Sequence, residues 1–192
     1  MYIGIDEVGR GPLAGPVIAC AVLWPDDGDL PGLTDSKRLS ARRRQALIAQ
    51  IKETALGIGI GRAEPTEIDQ LNILRATFLA MTRAVDAISV SIPNTCPILI
   101  DGNQVPSGLG PEARAIVGGD GLIPGISAAS VVAKVTRDDE MAYWGTVYPG
   151  YGFEQHVGYP TRAHLDALSS LGATPIHRRS FAPVARCLQE QS

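Results

Sequence analysis

The chain has 192 residues and a formal net charge of −3, a size that buries roughly 70% of the unfolded surface without disulfides or a structural metal. Its three cysteines, Cys20, Cys96 and Cys187, are far apart and form no CxxC or Cys/His spacing, which excludes a disulfide framework and a zinc site and fits a reducing, cytoplasmic setting. No apolar run approaches the roughly 20 residues of a membrane span, and the N-terminus opens in a strand pattern, so neither an anchor nor a secretion signal is expected.

Tyr2–Ile5 and Pro16–Trp24, the latter "PVIACAVLW", read as strands bounded by glycine and proline. "TDSKRLS" is a loop, and Ser40 is a good N-cap for a helix running to about Ala55. Six of the seventeen Lys and Arg residues fall between Thr34 and Lys52, against the single acid Asp35, a local basic surface that matters more than the net charge. "GIGIGR" alternates like a short strand, and "PTEIDQLN" opens a helical segment continuing to about Val90. "CPILID" is a short buried strand ending at Asp101, and "ARAIVGGD" another ending at Asp120. A helix from about Gly125 to Trp144, a Gly/Tyr/Pro-rich stretch and a last helix, "TRAHLDALSSLG", complete the chain, with Thr161 as N-cap and Gly172 as stop. Strands mixed with helices of this length give an α/β architecture.

Three strand patterns thus end in a carboxylate: Asp6, Asp101 and Asp120. If the strands of Asp6 and Asp101 are parallel neighbours, both side chains reach the same sheet edge, where α/β sites gather. Alternation points Glu7 away from Asp6, and Glu7 joins only if the strand ends there and the chain turns. Grouped oxygen ligands without Cys or His suit Mg²⁺ or Mn²⁺. Two such ions about 4 Å apart can clamp the attacking and leaving oxygens of a phosphodiester.

The segments "YIGIDEVGRGPLAGPV", "LTDSKRLS", "ILIDGN", "ISAASVVAKVTRD" and "YGFEQHVGYPTRAHLDAL", with "PIHRRSF" after them, together resemble a type 2 ribonuclease H of the bacterial kind over nearly the whole chain. The resemblance implies a ribonuclease H-like fold, a mixed central sheet flanked by helices. It implies one catalytic domain whose residues from about 146 onward form a small, substrate-contacting helical extension. The implied activity is hydrolysis of the RNA strand of RNA–DNA hybrids. Incision 5′ of single ribonucleotides embedded in duplex DNA is implied too, leaving 3′-hydroxyl and 5′-phosphate ends. By resemblance the metal-binding acids are Asp6, Glu7, Asp101 and Asp120. The backbone of Gly9, Arg10 and Gly11 contacts the 2′-hydroxyl, Tyr159 packs on the sugar at the DNA side of the junction, and Lys37 contacts a phosphate. Many members carry Lys where Gly118 stands here, and the C-terminal "CLQEQS" lacks the aromatic pair of a sliding-clamp motif. A monomer is expected.

Asp138, in "KVTRD", lies more than two turns into its helix, where Lys134 or Arg137 can pair with it, and reads as structural. His156, His164 and His177 read as hydrogen-bonded structural residues. Arg42–Arg44 are further phosphate candidates, and Arg178 and Arg179 stand within reach of phosphates. Rival readings are another metal-dependent DNA endonuclease of the same fold, inosine-directed or transposase-like, and a non-catalytic hybrid-binding module. The first would not need the Gly-Arg-Gly loop, and the second would tolerate a missing acid.

Overall fold

The computed structural model describes residues 1–33, 36 and 39–190. The elements are β1 (Tyr2–Val8), β2 (Val17–Trp24), α1 (Ala41–Thr54), β3 (Gly57–Ala63), α2 (Pro65–Leu71), α3 (Ile73–Asp86), β4 (Ile98–Asp101) and β5 (Ala113–Ile116). Then come α4 (Pro124–Val147), α5 (Phe153–His156), α6 (Arg162–Leu171) and α7 (Ala182–Glu190). The strands form one mixed sheet in the order β3-β2-β1-β4-β5. β1 pairs antiparallel with β2 and parallel with β4, so it stands where the sheet changes direction.

Alternation along the strands divides the core into two layers. Ile3, Ile5, Ile98 and Ile100 pack with Ala76, Ala80 and Ala84 of α3. Ile18, Cys20, Val22 and Trp24 pack with Leu47 and Ile51 of α1 and Ala129 and Val132 of α4. Each fully buried Ile, Leu or Val contributes about 1.5–3 kcal/mol. Gly4 allows α4 to lie directly on β1, because a Cβ there would collide with the Gly125–Ile126 backbone. No helix of the described residues is long and apolar enough to cross a membrane.

Several boundaries differ from the sequence expectation, among them β1, which runs to Val8, and α4, which runs to Val147. The helical segment after Pro65 is two helices, because Asn72 adopts φ 70° and its side chain accepts from the Leu74 and Arg75 N–H groups, starting α3 afresh. α3 then stops at Asp86, short of Val90. β5 ends at Ile116, and the left-handed Gly118 (φ 67°) turns the chain into a single 3₁₀ turn, Gly119–Gly121. Asp120 therefore sits on a turn rather than at a strand end. Finally, α6 is not the last helix: α7 follows, burying Val184 and Cys187, with Cys187 Sγ donating to the Leu168 carbonyl of α6. Pro183 in its first turn was the readable start signal.

Candidate active site

β1 and β4 are parallel with Ile5 opposite Ile100, so the next residue of each, Asp6 and Asp101, emerges at one sheet edge. Asp120 arrives from the turn before α4, its N–H donating to Asp101 Oδ1 at 3.4 Å. One oxygen from each of the three carboxylates lies within 4.8 Å of the others. Two serines on α4 organise them. Ser127 Oγ donates to the Asp120 carbonyl at 2.6 Å. Ser130 hydrogen-bonds Asp6 and shares a 2.8 Å hydroxyl–hydroxyl bond with the buried Ser36. Ser127 and Ser130 stand three residues apart, on one face of the helix, a spacing that does not by itself disclose that task.

β1 does not end at Glu7; it continues to Val8. Asp6 consequently turns to α4, while Glu7 lines a cleft of about 170 Å³ with Arg10, Thr77, Met81, Asp101 and Asn103. Glu7 thus stands outside the three-carboxylate group yet beside Asp101. Arg10 Nη1 donates to Glu7 Oε1 at 3.2 Å, and Glu7 Oε2 is buried without a hydrogen-bond partner. Burial, then the charge of Glu7, pushes the Asp6 carboxyl well above its ordinary range. Burial likewise raises Glu7, against the opposing pull of Arg10. An orphaned carboxylate oxygen and a raised buried acid mark a deficit of positive charge, which a hard divalent cation with oxygen ligands would relieve. The residues present fit such an ion.

Gly9, Arg10 and Gly11 follow directly. Gly9 has φ 91°, and a Cβ on it would strike the Arg137 side chain, so no other residue fits. Gly11 lies against Tyr159: a Cβ there would sit 3.3 Å from the ring Cε1. Leu13 N–H donates to the Gly158 carbonyl at 2.8 Å, tying the loop to the Tyr159 segment. Tyr159 is 42% exposed, so its ring is only partly covered by protein.

Among the basic candidates, Lys37 lies outside the described residues. Arg42 and Arg43 are exposed, but Arg44 is committed to the Leu39 carbonyl (2.7 Å), the Ser36 carbonyl (3.1 Å) and Asp138 (3.4 Å). Asp138 is structural, as expected, through Lys134 and Arg44. Arg137 turns away from it to backbone carbonyls. Arg178 is fully buried and cannot reach a phosphate; Arg179 is exposed. Gly118 is exposed.

The histidines hold the Tyr159 segment from behind. Thr174 N–H donates to His177 Nδ1 at 2.9 Å, so the His177 proton sits on Nε2 and is donated to His164 Nε2, 3.1 Å away. The His164 proton is then on Nδ1, bonded to the Tyr159 carbonyl at 2.9 Å. His156 stacks on His164 with centroids 4.6 Å apart. A second proton on either His164 or His177 sets two N–H groups against each other. Burial, with His164 beside it, pulls His177 down to about 4, and burial lowers His164 as well. The native chain then holds fewer protons than the unfolded one, so stability falls as pH drops from about 6.5 through about 4. The raised Asp6 gives the opposite slope. In an Asp6→Asn background, melting temperature is expected to fall by several degrees from pH 7 to pH 4.5, and His177→Gln to flatten that fall. A fall of equal size in both proteins would remove His177 as its source.

The ribonuclease HII family profile matches residues 3–184. The chain is 54% identical over 186 residues to the ribonuclease HII of Halorhodospira halophila, covering 97% of this chain and 94% of that one. It is 51% identical to the ribonuclease HII of Shewanella pealeana, covering 97% and 90%. In fold it is similar to the ribonuclease H2 of Pyrococcus horikoshii, with a TM-score of 0.82 at 24% identity over 98% of this chain and 97% of that one. The chain belongs to the ribonuclease HII family of metal-dependent endoribonucleases.

Proposed function

We propose that this chain hydrolyses the RNA strand of RNA–DNA hybrids and incises 5′ of a single ribonucleotide embedded in duplex DNA. The observation that carries this reading is that Arg10 of the Gly-Arg-Gly loop lines one cleft with the acids Glu7 and Asp101. Asp6, Glu7, Asp101 and Asp120 would hold Mg²⁺ or Mn²⁺, which when bound supplies positive charge to the attacking and leaving oxygens of a phosphodiester. A ribose 2′-hydroxyl both donates and accepts a hydrogen bond, and the Gly9–Gly11 backbone offers both kinds of partner beside the acids. Tyr159, from the segment after about residue 146, would receive the following deoxyribose on its ring. A phosphate contact from Lys37, or from the exposed Arg42 or Arg43, fits the basic stretch.

The test is a duplex with one ribonucleotide, incubated with Mg²⁺ or Mn²⁺ and mapped at nucleotide resolution. One cut is expected, immediately 5′ of the ribonucleotide, leaving 3′-hydroxyl and 5′-phosphate ends. An intact ribonucleotide strand, or cutting directed instead by deoxyinosine in all-DNA duplex, would refute the proposal.

A further inference from the structure

Arg137 and Arg178 are both 0% exposed, and neither forms an ion pair with a carboxylate among the described residues. Each spends its guanidinium on main-chain carbonyls instead. Arg178 donates from Nε to Gly15 (2.9 Å), from Nη1 to Arg10 (2.9 Å) and from Nη2 to Gly9. Arg137 donates from Nε to Pro16 (3.1 Å), from Nη2 to Ala14 (3.0 Å) and from Nη1 to Val157 (2.8 Å). One guanidinium therefore backs the Gly-Arg-Gly loop, and the other joins the end of that loop to the strip that carries Tyr159. Burial pulls Arg178 down to about 9 and Arg137 to about 10, so both stay charged at neutral pH.

Burying two unpaired cations is costly, and loops are ordinarily held by neutral hydrogen bonds at far smaller cost. The charge supplies something a neutral donor does not. A carbonyl that accepts from a cation polarises its own peptide unit and makes the N–H of that unit a stronger donor. The Gly9 carbonyl belongs to the peptide of the Arg10 N–H, and the Arg10 carbonyl to that of the Gly11 N–H. Arg10 and Gly11 are exposed, and neither N–H donates to a backbone acceptor among the described residues. Two polarised donors thus stand at the surface beside the acid cluster.

We propose that Arg178 is a specificity-determining positioning residue, polarising the peptides whose Arg10 and Gly11 N–H groups take the ribose 2′-oxygen, while Arg137 fixes their spacing from Tyr159. This rests on the reading of the loop given under Proposed function. Neither guanidinium touches substrate; each acts through backbone.

The experiment compares two duplexes identical except for one 2′-hydroxyl, with affinities measured for the full-length chain in Ca²⁺. That ion occupies oxygen sites with looser geometry than Mg²⁺. Arg178→Lys keeps the charge but loses the three-way fork, and Arg178→Gln loses the charge. Each is expected to reduce the preference for the ribonucleotide duplex by about fivefold or more, the worth of one hydrogen bond, with affinity for the all-DNA duplex little changed. Circular dichroism establishes that the variants are folded. A folded variant that keeps the wild-type preference, with only a lower melting temperature, overturns the inference and leaves the loop reading intact. If neither variant folds, Arg178 is a core element rather than a specificity device, and the inference is equally overturned. A wild-type chain that binds both duplexes equally overturns the loop reading itself, and this inference with it.

Discussion

Asp101→Asn is expected to reduce cleavage to background while leaving the fold intact, and Asp6→Asn to do the same while melting no lower than the wild-type apo protein. Asp6 is buried, and its carboxyl is raised by that burial and by the charges of Glu7 and Asp101. A carboxyl raised in the native state contributes stability that is complete below its unfolded pKa and is lost as pH rises through the folded value. At neutral pH the wild-type apo protein carries that penalty and the amide does not, so the gain on Asp6→Asn should grow with pH. Mg²⁺ should separate the proteins in the other direction. Saturation at about 100 times Kd stabilises the native state by about 2.7 kcal/mol, a rise in melting temperature that the variants should largely lose. Robust cleavage by folded Asp101→Asn at saturating Mg²⁺ would refute the metal assignment.

Tyr159→Ala is expected to cost roughly 10- to 100-fold in kcat/KM on a single embedded ribonucleotide. An aromatic face against a sugar is worth about 1–3 kcal/mol by analogy with base stacking, and the partly exposed ring lies against Gly11 while His164 holds its carbonyl. On a continuous RNA–DNA hybrid the loss should be much smaller, because the sugar received there is not a deoxyribose. Tyr159→Phe should keep most activity, since packing and not the hydroxyl is at issue. Equal losses on both substrates, or none on either, would make Tyr159 a packing residue and place junction sensing elsewhere.

The Asp6–Asp101 pair was legible because each acid closes an uninterrupted apolar run, and two such runs in one sheet have few ways to pair. Alternation also separated Glu7 from Asp6 correctly; what it did not reveal is that β1 continues to Val8, since pairing with Ile18 of β2 is a tertiary fact. Asp120 was found for the right sheet edge but on the wrong element, because "IVGGD" reads as strand until Gly118 takes a left-handed turn. The helix break at Asn72 hid for the same reason: a side chain that caps its own helix looks like any polar residue in a periodic stretch. Arg178 was misread most plainly. In "PIHRRSF" two adjacent arginines carry the same charge and the same neighbours, and only the position of carbonyls more than 160 residues away buries one and exposes the other. Arg44 was separated from Arg43 in the same manner, by Asp138 on α4.

That span has a consequence for the order in which the molecule becomes competent. The acids of β1, β4 and the turn at Asp120 are all made before residue 121, whereas the guanidinium that holds the Gly9 carbonyl lies 169 residues after it. At about 5–20 residues per second, synthesis separates Asp120, the last of the acids, from Arg178 by roughly 3–12 s. Closing so long a loop costs entropy that only later packing repays. The emerging chain therefore carries its acids before Arg178 is there to hold the Gly9 and Arg10 carbonyls. On the proposed reading of the Gly-Arg-Gly loop, the selective element is set after the acids, by contacts that only the C-terminal part of the chain can make.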